Sequence, residues 1–197
     1  MIYLEQLKYC IPSDLETTGL DPNRHSMISA GISLFNGNEF VIENSLRDNV
    51  EIDDYALKVN GENEDNLRLR SPLNGYLTEK DALKLFIEFC GDNEATVIIG
   101  KNPRFDFSFL KAIWDRNPDF NFGCKNFPFS YRVIDYGSLA VPLMLLKGID
   151  IPKFGFSSSD VQKFLGMDEE PKPHTALTGA RYNKECTLKI LEMYQND

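Results

Sequence analysis

Ser13-Asp14-Leu15-Glu16-Thr17-Thr18-Gly19-Leu20 is the stretch on which the reading of this chain turns. It closes a short apolar segment, residues 8–16, that reads as a strand ending in two acids. In a strand, residues i and i+2 project from the same face, so Asp14 and Glu16 converge. Two carboxylates so placed repel unless a cation stands between them, and hard oxygen donors suit Mg²⁺ or Mn²⁺. The Thr17-Thr18-Gly19 turn adds hydroxyls and allows a ligand close to the backbone. Taken alone, acids at a strand end are more often simply solvated. Pro12 removes a ladder donor just before the acids, so the strand is expected to be irregular there.

Outward from this stretch, residues 27–35 alternate, with Ile28, Ala30, Ile32 and Leu34 on one face. Asn36-Gly37 marks a turn, and residues 39–42 return as a hairpin partner. Residues 47–77 are polar and turn-rich, with one short helix expected over 53–59. Thr78 and Asp81 resemble a capping box ahead of a helical stripe of Ala82, Leu85, Phe86, Phe89 and Cys90, which Gly91 should close. A fourth strand is expected over 95–100, then a helix after Pro103 carrying Phe105, Phe109, Ala112 and Ile113. Residues 118–132 are aromatic and irregular. Residues 133–136 read as a fifth strand, followed by a helix to about Leu146. Ser157 to Ser159 cap a short helix ending at Gly166. A long helix runs from Thr175 to about Tyr194, with Leu177, Ala180, Leu188 and Leu191 near one stripe. The pattern is that of one mixed α/β domain over residues 1–197.

Composition narrows the function classes. The 197 residues are 42% apolar and 26% charged, which is globular and neither fibrous nor disordered. A net charge of −9 excludes a protein that holds nucleic acid by bulk positive charge. It leaves room for one whose bound cations supply that charge locally. Four cysteines lie far apart with no C-x-x-C pair, so reduced thiols and a cytoplasmic location are expected, without a zinc site or a disulfide framework. No apolar run approaches the roughly 18 residues of a membrane span, and the N-terminus lacks a signal-peptide core. No Gly-rich phosphate loop occurs.

Two further features lie downstream. Asp106, in Gly100-Lys-Asn-Pro-Arg-Phe-Asp-Phe-Ser-Phe-Leu110, falls in the first turn of the helix after the fourth strand, where a lone Asp most often serves the helix dipole. His174 stands just before the last helix, where a lone His is more often structural; His25 is given no role.

In combination and in this order, Asp14-x-Glu16-Thr-Thr-Gly, Asn102-x-x-Phe-Asp106-x-x-Phe-Leu110 and Pro173-His174-x-Ala-Leu resemble the DEDD exonuclease superfamily. The match is to its histidine-bearing branch (DEDDh), that of polymerase III proofreading subunits, ribonuclease T and oligoribonuclease. The resemblance runs from about residue 8 to about 192. It implies a ribonuclease-H-like fold, with a five-stranded mixed sheet flanked by helices. It also implies two-metal hydrolysis of single-stranded DNA or RNA from the 3′ end. Asp14, Glu16 and Asp106 would be the metal ligands, and His174 the general base. Thr17, Thr18 and Leu20 would seat the terminal nucleotide, with Asn102 and Phe105 supporting that pocket.

One position departs from the pattern. The family carries a fourth carboxylate five residues after the histidine, and here that position is Gly179. Glu185 lies about 240° round the helix from it, a poor substitute, and Asn183 is better placed but neutral. With one anionic ligand fewer, Mn²⁺ is expected to serve better than Mg²⁺, and Gly179→Asp to raise activity. The alternative is a module of the same fold that has lost catalysis and binds a nucleic-acid end or a protein. The aromatic block 120–131 is expected to fill the core or a homodimer interface before it serves as a base-stacking surface. A polymerase or repair partner is left open.

Overall fold

The computed structural model describes residues 4–196. Its centre is β1 (Cys10–Thr17), flanked by β2 (Met27–Ser33) on one side and β4 (Val97–Gly100) on the other. With β3 (Glu39–Glu43) and β5 (Ile134–Asp135), the described residues form a five-stranded sheet in the order β3-β2-β1-β4-β5. The β1-β2 and β2-β3 pairs are antiparallel, while β1-β4 and β4-β5 are parallel. The expected five-stranded mixed α/β architecture is the one observed.

Pro12 has a defined place in this sheet. Pairing of β1 with β4 ends at Pro12↔Ile99, whereas pairing with β2 begins at Ser13↔Ile32. The residue without an N–H therefore stands where the strand changes partner, so its missing donor costs the ladder little. Beyond it β1 parts from β4, and the acids lie on that diverging half.

Two helical layers cover the sheet. On one face, α3 (Glu79–Asp92) and α4 (Arg104–Arg116) enclose the larger core with Ile11, Leu15, Ile98, Phe86 and Phe109. On the other, α8 (Ala176–Asn196) lies along β1 and β2, backed by α5 (Tyr136–Leu146) and α7 (Ser158–Phe164). Two short helices, α1 (Asp54–Asn60) and α2 (Glu64–Leu69), and the single turn α6 (Ile151–Phe154) complete the order.

Several expectations need correction. Residues 4–9 form a 3-10 helix, so β1 starts at Cys10 and not near residue 8. Helix α3 runs through Gly91 to a cap at Asn93; its buried face takes Leu83 and Ile87, while Leu85 stays exposed. Helices α2 and α6 were not foreseen, because each is a single short run without an apolar stripe. The buried face of α8 is Ala176, Gly179, Ala180, Asn183, Cys186, Thr187 and Ile190, not the leucines. At its N-terminal end that helix lies so near the sheet that a Cβ on Gly31 of β2 would run into the Ala176 backbone, and the buried positions there are small: Ala176, Gly179 and Ala180.

The aromatic block settles into the core. Phe122 and Phe129 are buried, Trp114 stacks on Phe122 at 4.6 Å, and Phe127 packs edge-on against Phe129 at 5.3 Å. All four cysteines are free thiols, three of them buried. Among the described residues, no helix is long and apolar enough to cross a membrane.

Candidate active site

The divergence of β1 from β4 frees backbone groups, and side chains from two helices take them up. The Leu15 N–H donates to Asp106 Oδ1 at 3.0 Å. Asn183 Nδ2 of α8 donates to the Ser13 carbonyl at 2.7 Å. Asp106, in the first turn of α4, is thereby pinned beside the two acids of β1, whose side chains share one face. Gly100, which ends β4, leaves Asn183 its room, since a Cβ there would stand 3.0 Å from Nδ2. The site thus lies beyond the carboxyl ends of the parallel strands β1 and β4, where open α/β sheets bind ligands.

The electrostatics are those of acids buried close together. Asp14 has its carboxyl well above the usual range, first through burial and then through the charges of Asp106, Glu16 and Glu170. Glu16 is buried at 8% exposure and raised to about 7, by burial and then by Glu170 and Glu62. Asp106 is raised to about 8, chiefly by burial, despite the opposing hydrogen bond from Leu15. Glu16 Oε1 is buried without a hydrogen-bond partner. A buried, unsatisfied carboxylate oxygen beside further acids is costly unless a cation joins it.

As the side chains lie, no three His, Cys, Asp or Glu groups among the described residues form a ready-made ion cage. The donor set itself fits hard divalent cations: all-oxygen, anionic, partly desolvated and short of positive partners.

His174 sits at the rim, in the approach to α8. Its ring is half-buried, and burial, then Lys172, pushes its pKa below the ordinary histidine value, which favours the neutral imidazole. A groove of about 580 Å³ opens beside it, lined by Tyr55, Lys58, Val59, Ser159, Lys172 and Pro173.

The other residues singled out from sequence fall into two groups. Thr17 and Thr18 are buried and their hydroxyls hold the turn: Thr17 donates to the Gly19 carbonyl at 2.8 Å, and Thr18 donates to the Glu51 carbonyl at 2.8 Å and accepts from the Ser26 N–H. Gly19 is required by His25, whose ring occupies the space of a Cβ. Leu20 is 79% exposed and free to meet a ligand. Asn102 is exposed, with a left-handed φ of 54° that turns the chain into α4, and Phe105 leans on Phe109 at 4.9 Å.

The fourth position is occupied differently from what the spacing suggested. A Cβ on Gly179 would stand 2.5 Å from Asp14 Cγ and 2.9 Å from Asp14 Cβ, closer still to Oδ2. There is no vacancy for a carboxylate at 179. Asn183 is committed to Ser13, and Glu185 lies in a surface groove with Ser33, Glu39, Arg181, Lys184 and Leu188. Arg181 pairs with Glu39 and does not serve the site. Sequence reasoning missed Glu170, Lys58 and Lys172, which lie in loops or on short elements with no periodicity to expose them.

No protein-family profile matches the chain. The fold is ribonuclease-H-like, that of the DEDDh exonucleases. Among solved structures, the nuclease domain of 3′hExo, a DEDDh family member bound to rAMP, superposes with a TM-score of 0.67 at 16% identity, covering 93% of this chain and 90% of that one. E. coli Exonuclease I in complex with a 5cy-dA13 oligonucleotide gives 0.64 at 16% identity, covering 93% and 40%. By sequence the chain is similar to DNA polymerase III PolC-type of Thermotoga maritima, 26% identical over 182 residues, and to ribonuclease T of Blochmanniella pennsylvanica, 28% identical over 123 residues. It spans 12% of the length of the former and 54% of the latter, while 91% and 55% of this chain are covered.

Proposed function

We propose that the chain is a divalent-metal-dependent 3′–5′ exonuclease that removes nucleoside 5′-monophosphates from single-stranded DNA or RNA. The observation that carries this reading is the set Asp14, Glu16 and Asp106: three acids gathered at the strand ends, desolvated, mutually repelling and without a cationic side-chain partner among the described residues. The fold, shared with exonucleases, supports it.

In this reading Asp14, Glu16 and Asp106 would hold the divalent cations. When bound, the cations acidify a water and neutralise charge at the scissile phosphate and the departing 3′-oxygen. His174, whose pKa burial and then Lys172 lower, would accept the water's proton. Lys58 and Lys172, in the groove beside it, offer the only kind of charge a phosphate backbone would seek there. Leu20 gives the terminal base an apolar surface, while Thr17 and Thr18 act by fixing the turn that presents it. Asn102 and Phe105 shape the opposite wall. Mn²⁺ should support turnover better than Mg²⁺, which is the more demanding of ideal octahedral ligands and lies lower in affinity.

A second reading, a binding module of the same fold without catalysis, is favoured by Gly179 alone. Labelled single-stranded DNA and RNA, incubated with Mn²⁺, Mg²⁺ or chelator, separate the two. The exonuclease reading expects 5′-monophosphates with metal and none in chelator. Tight binding with no cleavage under any metal would favour the module.

A further inference from the structure

The acids of β1 have an unforeseen neighbour. Of residues 168–175, which lead into α8, only Glu170 and His174 turn inward; Asp168, Glu169, Pro171, Lys172, Pro173 and Thr175 are exposed. The Glu170 side chain is 13% exposed, its Oε2 lies 3.7 Å from His174 Nδ1, and its Oε1 is buried with no hydrogen-bond partner. Glu16 Oε1, also buried, is unpartnered too. Glu170 is near enough for its charge to act on both Asp14 and Glu16.

The approach to His174 engages only Oε2 of Glu170; among the described residues nothing accounts for its buried Oε1, or for bringing the glutamate within charge range of two other acids. Repulsion opposes it, the surrounding loop is exposed enough to let it point outward, and a buried carboxylate oxygen left unpaired costs about 1–3 kcal/mol or more. A cation shared with Asp14 and Glu16 would satisfy both orphaned oxygens. Helix α8 cannot supply that ligand itself, because Asp14 fills the space beside Gly179.

We propose that Glu170 is the fourth carboxylate ligand of the divalent-cation site, supplied by the segment ahead of His174 in place of a residue on α8. This rests on the metal-dependent reading of the site above. In it the glycine at 179 and the glutamate at 170 are one exchange: the helix moves in against β1, and the ligand arrives from the loop.

The test is Mn²⁺ binding at pH 8, followed by calorimetry and by the electron paramagnetic resonance of free Mn²⁺, without substrate. Wild type should bind saturably. Glu170→Gln should weaken binding by about tenfold or more, and Glu170→Asp, which keeps the charge and shortens the reach, should fall between. Glu169→Gln and Glu185→Gln, both exposed, should bind as wild type does. Wild-type affinity in Glu170→Gln alongside a large loss in Asp14→Asn would overturn the assignment of Glu170 and leave the metal site standing. No saturable binding in wild type, or equal binding in Asp14→Asn, would overturn both.

Discussion

Asp14 and Gly179 compete for the same space, and this contact decides what either position tolerates. The spacing of the chain alone makes Gly179 look like a lost ligand whose restoration should help. With Asp14 Cβ 2.9 Å from where a side chain would begin, any addition at 179 must displace the central acid. Gly179→Asp is therefore expected to lower activity and weaken Mn²⁺ binding, despite the better helix propensity of Asp by a few tenths of a kcal/mol. A rise in rate across a Mn²⁺ titration would restore the vacant-ligand account. The residues that could be read beforehand, Asp14, Glu16, Asp106 and His174, were those with a motif around them. Glu170 was illegible because its part depends on a loop folding back towards β1, which no local pattern encodes.

Strand β1 does its work by parting from β4, and that is a property of an element rather than of a residue. Asn183 satisfies the Ser13 carbonyl that this parting exposes. Asn183→Ala should leave a buried acceptor unpaired and cost about 1–3 kcal/mol, measured by urea unfolding. A loss below about 0.5 kcal/mol would mean that another donor, or water, replaces the amide. The alternation of residues 27–35 and the proline before the acids announced β2 and the irregularity of β1 correctly in kind. Helix α8 was placed correctly, but of its expected stripe only Ala180 lies on the fully buried face. Its leucines suggested an apolar stripe, whereas the close approach at Gly31 and Ala176 selects small residues. Hydrophobic periodicity reports which residues are greasy, not how near two layers come.

At the scale of the whole molecule, two consequences follow from charge. Glu16 and Asp106 hold their protons up to about pH 7 and about pH 8 in the folded chain, well above the ordinary carboxyl range. Between roughly pH 4.5 and 8 the folded state therefore binds more protons than the unfolded one, so stability in chelator falls as pH rises through that window. Each tenfold gain in proton affinity corresponds to about 1.4 kcal/mol. Tm measured in chelator should drop from about pH 5 to about pH 8.5, and saturating Mn²⁺ should restore most at the upper end. A metal-free Tm that climbs over this range would contradict the account of the buried acids. The second consequence concerns the substrate. With a net charge of −9, and with Lys58 and Lys172 as the basic side chains lining the groove beside His174, a second phosphate backbone finds little to hold it. Blunt duplex ends should be cut more slowly than single strands, and equal rates would refute this. The fold class and the core acids were legible from sequence because strand alternation and short motifs are local. The groove beside His174 was not, since Tyr55, Lys58, Ser159 and Lys172 meet only in three dimensions. The measurement that bears most directly on the central claim is the time course of a 5′-labelled single strand with Mn²⁺, run for wild type and Asp14→Ala, with and without excess chelator. The account predicts a ladder shortening one nucleotide at a time from the 3′ end, abolished by chelator and reduced roughly 10³-fold or more in the variant, since several kcal/mol of metal stabilisation are lost. Full turnover in chelator, or a near-normal rate in Asp14→Ala, would contradict it.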